Sequence, residues 1–147
     1  MKKVIVAVGS LKNRPEKNLF DTFNQRLNPP PILHEIPTKV NSTFTQEAES
    51  ILAYLKPDDY IIALDEGGNT LSTRQFADLL NQLEKSVRRC VFVIGGADGL
   101  DTSVKQRAQF CLSLGRMTWS HLLARSLLIE QLYRCQQIAC GHPYHRD

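Results

Sequence analysis

The 147 residues suit a single domain, and a chain of this length buries roughly 70% of its unfolded surface without a disulfide or metal staple. Hydrophobic residues at 42% and charged residues at 22% exclude a disordered or membrane-embedded chain. The net charge of +3, with acids spread throughout, is compatible with a polyanionic partner without demanding one.

VIVAV at 4–8 is a β-branched run closed by Gly9 and predicts a buried strand. It follows MKK as a secretory leader would, but it is too short for the apolar region of one. LKNRPEK stands where a small-residue cleavage site belongs, and no run approaches the length of a bilayer span. The expectation is a soluble, cytoplasmic protein that does not engage a membrane. Pro15 to Leu27 predicts a helix with Leu19, Phe20, Phe23 and Leu27 on one face, stopped by Asn28 and PPP at 29–31. ILHEI at 32–36 is a short strand ended by Pro37. Ser42 or Thr43 caps a helix running to Leu55, YIIAL at 60–64 is a further strand, and Ser72 opens a helix with Phe76, Leu79, Leu80 and Leu83 inward.

CVFVI at 90–94 is the fourth strand, followed by GGADGLD, a helix from about Asp101 to Phe110, and a short strand CLSL at 111–114. One long helix, Trp119 to Ala139, completes the order. Alternating strands and helices define an α/β fold with a largely parallel sheet. Two loops, LDEGGNT at 64–70 and IGGADGLD at 94–101, follow the carboxyl ends of strands, the edge where open parallel sheets bind ligands. The second is neither GxGxxG nor a phosphate-cradling loop with lysine.

The last helix carries apolar residues around most of its circumference: Leu122, Leu123, Leu127, Leu128, Ile129, Leu132, Tyr133, Ile138 and Ala139. Such a helix is either buried in its own core on all sides or packs one face on a second subunit. In a domain this small the second arrangement is favoured, and it implies a symmetric dimer. Glu130 and Arg134 read as a simple surface pair one turn apart. Cys90, Cys111, Cys135 and Cys140 form no CxxC and suit free thiols in a reducing compartment.

The last seven residues, GHPYHRD, hold two histidines, a tyrosine and an arginine where a chain is normally least ordered. Cys140, His142 and His145 space as C-x-H-x-x-H, which zinc would accept. A structural zinc takes a fourth ligand, however, and Pro143 makes the spacing tight for a tetrahedron, so no metal is expected. Lys12, Arg14, Arg107, Arg116 and Arg125 are the cations available for the phosphates of a polyanionic partner, each on its own more often a solvated surface charge.

VIVAVGSLK, VFVIGGADGL, LSLGRMTWSHLLARSLLIEQLYR and the closing GHPYHRD, in that order and spacing, closely resemble the RlmH family, small SPOUT-class methyltransferases of bacteria. The resemblance spans the chain and implies one domain, 1–147, whose parallel-sheet SPOUT fold is tied into a C-terminal trefoil knot and pairs as a homodimer. It implies S-adenosylmethionine held bent in the knot by three loops: at Leu64, at Gly95, and at Leu114, Gly115, Arg116, Met117, Thr118 and Trp119. A side chain at Gly95 is expected to take the cofactor's place. The implied activity is methylation of N3 of a pseudouridine in 23S rRNA of the assembled ribosome, in a hairpin loop facing the decoding region. On that reading the tail lies near the methyl-binding end of the knot and, in a dimer, walls a composite site. His145 accepts the N3 proton or positions the ring, Arg146 holds a phosphate or an oxyanion, and Tyr144 stacks on a base. The alternative is a non-catalytic RNA-binding or ribosome-assembly protein on the same scaffold, against which the intact LGRMTW loop and tail argue.

Overall fold

A computed structural model describes residues 1–147. Ten elements alternate: β1 (Lys2–Val8), α1 (Pro15–Asn24), β2 (Ile32–Ile36), α2 (Phe44–Tyr54), β3 (Tyr60–Thr70), α3 (Thr73–Glu84), β4 (Arg89–Ile94), α4 (Thr102–Arg107), β5 (Phe110–Ser113) and α5 (His121–Ala139). The five strands form one parallel sheet in the order β2-β1-β4-β3-β5. Side chains alternate across it as the strand period requires. Val4, Val6 and Val8 face the layer holding Ala48 and Ile51 of α2 and Val104 of α4. Ile5 and Ala7 face the layer of α1, α3 and α5. With both faces covered, β1, β3 and β4 read as continuous apolar runs rather than alternating ones.

The helix starts follow local chemistry. Thr43 with Gln46, and Ser72 with Gln75, form reciprocal caps in which each side chain satisfies an orphan backbone N–H of the first turn. Ser120 caps α5 by accepting from the Leu123 N–H. No helix is long and apolar enough to cross a membrane.

The sequence and the structure differ in several places, and the first helix, expected to run to Leu27, already ends at Asn24. Residues 64–70 are not a loop beyond a strand but part of β3. Leu112 of β5 is the register partner of both Leu64 and Asn69, so residues 65–68 bulge out and return. Gly68 makes the return possible, since a Cβ there would lie 2.7 Å from the Cys111 carbonyl oxygen. The helix expected over 101–110 stops at Arg107, because Gln109 already pairs with Ile61 through its backbone N–H and its side-chain oxygen. The long helix begins at His121, with Trp119 outside it.

The wide apolar surface of α5 is largely taken up by its own chain. Leu128, Ile129 and Leu132 are buried between the sheet, α1 and α3, while Leu122 and Tyr133 pack against the same cluster. Leu123, Leu127 and Ile138 are half-buried outside it.

Arg125 is corrected: it is no phosphate contact. Its side chain is 0% exposed, with Nη1 donating to Glu35 at 2.8 Å and Nη2 to the carbonyls of Val8 at 2.7 Å and Gly9 at 3.0 Å. Glu35 also accepts the Leu11 N–H at 2.7 Å. Burial lowers the Arg125 pKa and the Glu35 pair opposes that. The arginine stitches the end of β1, the β1–α1 loop and β2 to α5, with no reach to a ligand outside.

Candidate active site

Three segments meet at the carboxyl edge of the sheet: the β3 bulge, the β4–α4 loop and the β5–α5 loop. They enclose a pocket of about 320 Å³, at the lower end of the range for small-molecule sites. The β5–α5 loop is pinned to the bulge. Thr118 donates its hydroxyl to the Glu66 carboxylate, and Ser113 Oγ lies 3.1 Å from the Glu66 carbonyl and 2.7 Å from that of Gly115. The Trp119 indole N–H donates to the Leu114 carbonyl at 3.3 Å, which holds the ring at the rim.

Of the residues expected at the cofactor, Leu64, Gly95, Leu114, Gly115, Met117, Thr118 and Trp119 line this pocket, and Arg116 does not. Gly95 has a second reason to lack a side chain. A Cβ there would lie 2.2 Å from the Gly99 carbonyl oxygen, so glycine is required by the loop's own backbone before any ligand arrives. Gly99 and Gly115 also line the pocket, and nothing lies within 4 Å of their Cβ positions.

Sequence reading missed the pocket's charge. Asp65, Glu66 and Asp98 line it against a single lysine, Lys105, which pairs with Asp65 at 3.7 Å. Their signal was available, since all three stand in the loops after strands. His121 opens α5 and lines the same pocket. Burial, followed by the charges of Arg125 and Arg14, lowers its pKa and so favours the neutral ring.

The tail lies elsewhere. No residue of 141–147 lines the pocket; the tail folds back on α5 and the start of α3. Tyr144 donates its hydroxyl to Glu130 at 3.1 Å and meets Tyr133 edge-on at 4.8 Å between centroids, with Arg134 4.7 Å over its ring. Burial, then the Glu130 contact, raises the Tyr144 pKa. His145 has one ring nitrogen 3.3 Å from Arg134 Nη1 and the other 3.0 Å from Asp147 Oδ1. Arg74 grips Asp147 at 2.6–2.9 Å and, with His145, holds its carboxyl down at about 2. A depressed carboxyl keeps its ion pair above the ordinary carboxylate range and loses it only as pH falls through about 2, so the clamp holds at every physiological pH. Arg146 is exposed. The Glu130–Arg134 pair is therefore no simple surface bridge: at 2.6 Å it is the floor on which Tyr144 and His145 rest.

The zinc spacing does not assemble. His142 Nδ1 accepts the Tyr144 N–H, both ring nitrogens of His145 are engaged, and the structure contains no group of three or more His, Cys, Asp or Glu able to hold a metal ion. Of the remaining phosphate candidates, Arg107 donates to the carbonyls of Lys56 and Pro57 at 2.9 and 3.2 Å, while Lys12 is exposed on the β1–α1 loop.

A parallel sheet whose carboxyl-edge loops close a pocket of glycine backbone, apolar side chains and carboxylates defines an α/β protein with a small-molecule pocket at the edge where such sheets bind ligands. Residues 1–145 match the family described as predicted SPOUT methyltransferase, and the chain belongs to it. It is 44% identical over 151 residues to the ribosomal RNA large subunit methyltransferase H of Paramagnetospirillum magneticum, covering 99% of each chain. To the protein of the same name from Rhodospirillum rubrum it is 42% identical over 152 residues, covering all of both.

Proposed function

We propose that this chain is an S-adenosylmethionine-dependent methyltransferase of large-subunit ribosomal RNA, methylating N3 of a pseudouridine in 23S rRNA of the assembled ribosome, in the cytoplasm. The observation that carries this is the end-to-end identity to proteins named for methylating that RNA, joined to a pocket bordered by the expected loops. The pocket suits the cofactor. Leu64, Ile94, Leu112 and Leu114 offer apolar walls, Gly99 and Gly115 leave open space beside the backbone, and Asp65, Glu66 and Asp98 complement a sulfonium and an ammonium. When bound, S-adenosylmethionine supplies a methyl group already activated, which leaves the protein two tasks: holding the reacting atoms in line and removing the N3 proton. Labelled methyl transfer to ribosomes lacking the modification tests the proposal; transfer to that one nucleotide is expected, and none would overturn it.

Two finer points belong to the same reading. On this reading the chain runs from β5, outside β3, back to α5 between α1 and α3 by passing beneath the β3–α3 connection. Passage beneath that connection closes a trefoil knot, a rare exception to ordinary chain connections. The tail does not line the carboxyl-edge pocket of its own chain, and on this reading it serves methyl transfer by walling that pocket in a second copy. The half-buried Leu123 and Leu127 on α5 offer part of the apolar surface such a dimer needs. Light scattering at micromolar concentration is expected to give twice the chain mass, and a monomer would rule out the composite site.

Met117 provides a test of the pocket that spares the fold, being 75% exposed in the single chain. Met117→Ala is expected to leave the melting temperature unchanged. It should weaken S-adenosylmethionine binding about tenfold by calorimetry, the scale of one lost apolar contact of about 1.5 kcal/mol. Unchanged affinity would remove the β5–α5 loop from the cofactor site.

A further inference from the structure

We infer that Asp147, gripped by Arg74, is a positioning residue that sets the tautomer of His145 and stabilises the ring when it takes up the target's proton. The inference rests on the proposed methyl transfer with His145 as the base, and it concerns residues that neither composition nor family likeness singled out.

The geometry leaves one arrangement for the neutral ring. A guanidinium has donors and no acceptor, so the Arg134 Nη1 that lies 3.3 Å from His145 Nδ1 requires Nδ1 to be unprotonated. The ring proton is then on Nε2, which donates to Asp147 Oδ1 at 3.0 Å. The Asp147 carboxylate is itself fixed: Arg74 Nε lies 2.8 and 2.9 Å from its two oxygens and Nη2 2.6 Å from one of them. That is a two-pronged grip, stronger and more directional than a single charge contact. On the other side, Glu130 holds Arg134 through Nε at 3.0 Å and Nη2 at 2.6 Å, and accepts the Tyr144 hydroxyl. The charged and titratable groups around the ring are thus Arg134 and Glu130 from α5, Arg74 from α3, and Tyr144, Arg146 and Asp147 from the tail. The His145 side chain is only 11% exposed, which a loose tail would not achieve.

The arrangement assigns roles to the two nitrogens. Nδ1 carries the only basic lone pair, and Arg134 occupies it until a substrate takes its place. The target's N3 proton then passes to Nδ1, the electron pair left on N3 forms the new bond to the methyl carbon, and the carbon–sulfur pair stays on sulfur. The ring, now positive, is held between that proton and the Asp147 carboxylate, as a carboxylate behind a histidine base holds an imidazolium. Without Asp147 only the long Arg134 contact at 3.3 Å would favour the Nε2–H form over the other.

Nitrogen NMR of the histidine-labelled full chain, at a pH where the imidazole is neutral and with His145 assigned by its loss in His145→Ala, reads the tautomer directly. The wild-type ring is expected as the Nε2–H form, and Asp147→Ala and Arg74→Ala as mixtures. In Asp147→Ala, kcat for ribosomes should fall about tenfold or more with S-adenosylmethionine affinity within twofold. Asp147→Glu should restore most of the loss, which a merely structural contact would not show. An unchanged tautomer in Asp147→Ala overturns the inference while leaving the methyltransferase reading intact. An altered tautomer with full methyl transfer in both Asp147→Ala and His145→Ala overturns the role of His145 as base, and this inference with it.

Discussion

Deleting His142 to Asp147 is expected to lower methyl transfer to ribosomes by at least about a hundredfold, the scale of losing acid–base help or an oxyanion donor. Affinity for S-adenosylmethionine should stay within a few-fold. The two readouts separate because the tail and the pocket share no residue: the pocket is built on β3, β4, β5 and the start of α5, whereas the tail rests on Glu130, Arg134 and Arg74. His145→Ala and Arg146→Ala should each reproduce a large part of the loss. If the tail only covers the helix beneath it, truncation lowers the melting temperature and cofactor binding together and leaves kcat of the folded fraction intact. Calorimetry, thermal melting and labelled methyl transfer on the same truncated protein decide the matter. Full activity without the tail would place the reacting groups elsewhere, with His121 in the pocket the first to examine.

The strands were legible because a sheet covered on both faces needs unbroken apolar runs, and VIVAV, YIIAL and CVFVI are such runs. Helix starts were legible because a capping hydroxyl and its partner lie within four residues of each other. What stayed hidden was nonlocal. The β3 bulge is set by the register against β5, with Leu112 meeting both Leu64 and Asn69, and no window of sequence around residues 64–70 carries that information. Gly95 also answers a nonlocal demand that its sequence context did not show, since a Cβ there meets the Gly99 carbonyl four residues on. Glu130 and Arg134 looked like an ordinary pair because their value comes from Tyr144 and His145, which fold back over them. The clamp between Arg74 and Asp147 joins residues 73 apart, beyond any pattern of spacing.

Arg125 shows the same limit with the largest consequence for stability. On a helix otherwise rich in leucine it read as a surface cation available to RNA; its partner Glu35 stands 90 residues away in β2. Arg125→Ala is expected to lower unfolding free energy by about 3 kcal/mol, the low end for breaking a buried ion pair, because the Glu35 side chain keeps 32% of its exposure and water can reach it. The carbonyls of Val8 and Gly9 lose their donor as well. For a chain of this size that corresponds to a fall of roughly 6–12 °C in melting temperature. Arg125→Lys should recover little, since an ammonium cannot span a carboxylate on one side and two carbonyls on the other as a planar fork does. Glu35→Gln in the Arg125→Ala background should cost less than the sum of the single changes, because the two residues form one network. A phosphate ligand would behave in the opposite way: melting would hold, RNA affinity would fall, and its salt dependence would flatten by about one unit of slope. An Arg125→Ala protein with wild-type melting and weakened RNA binding would mean that α5 turns this side chain outward in solution.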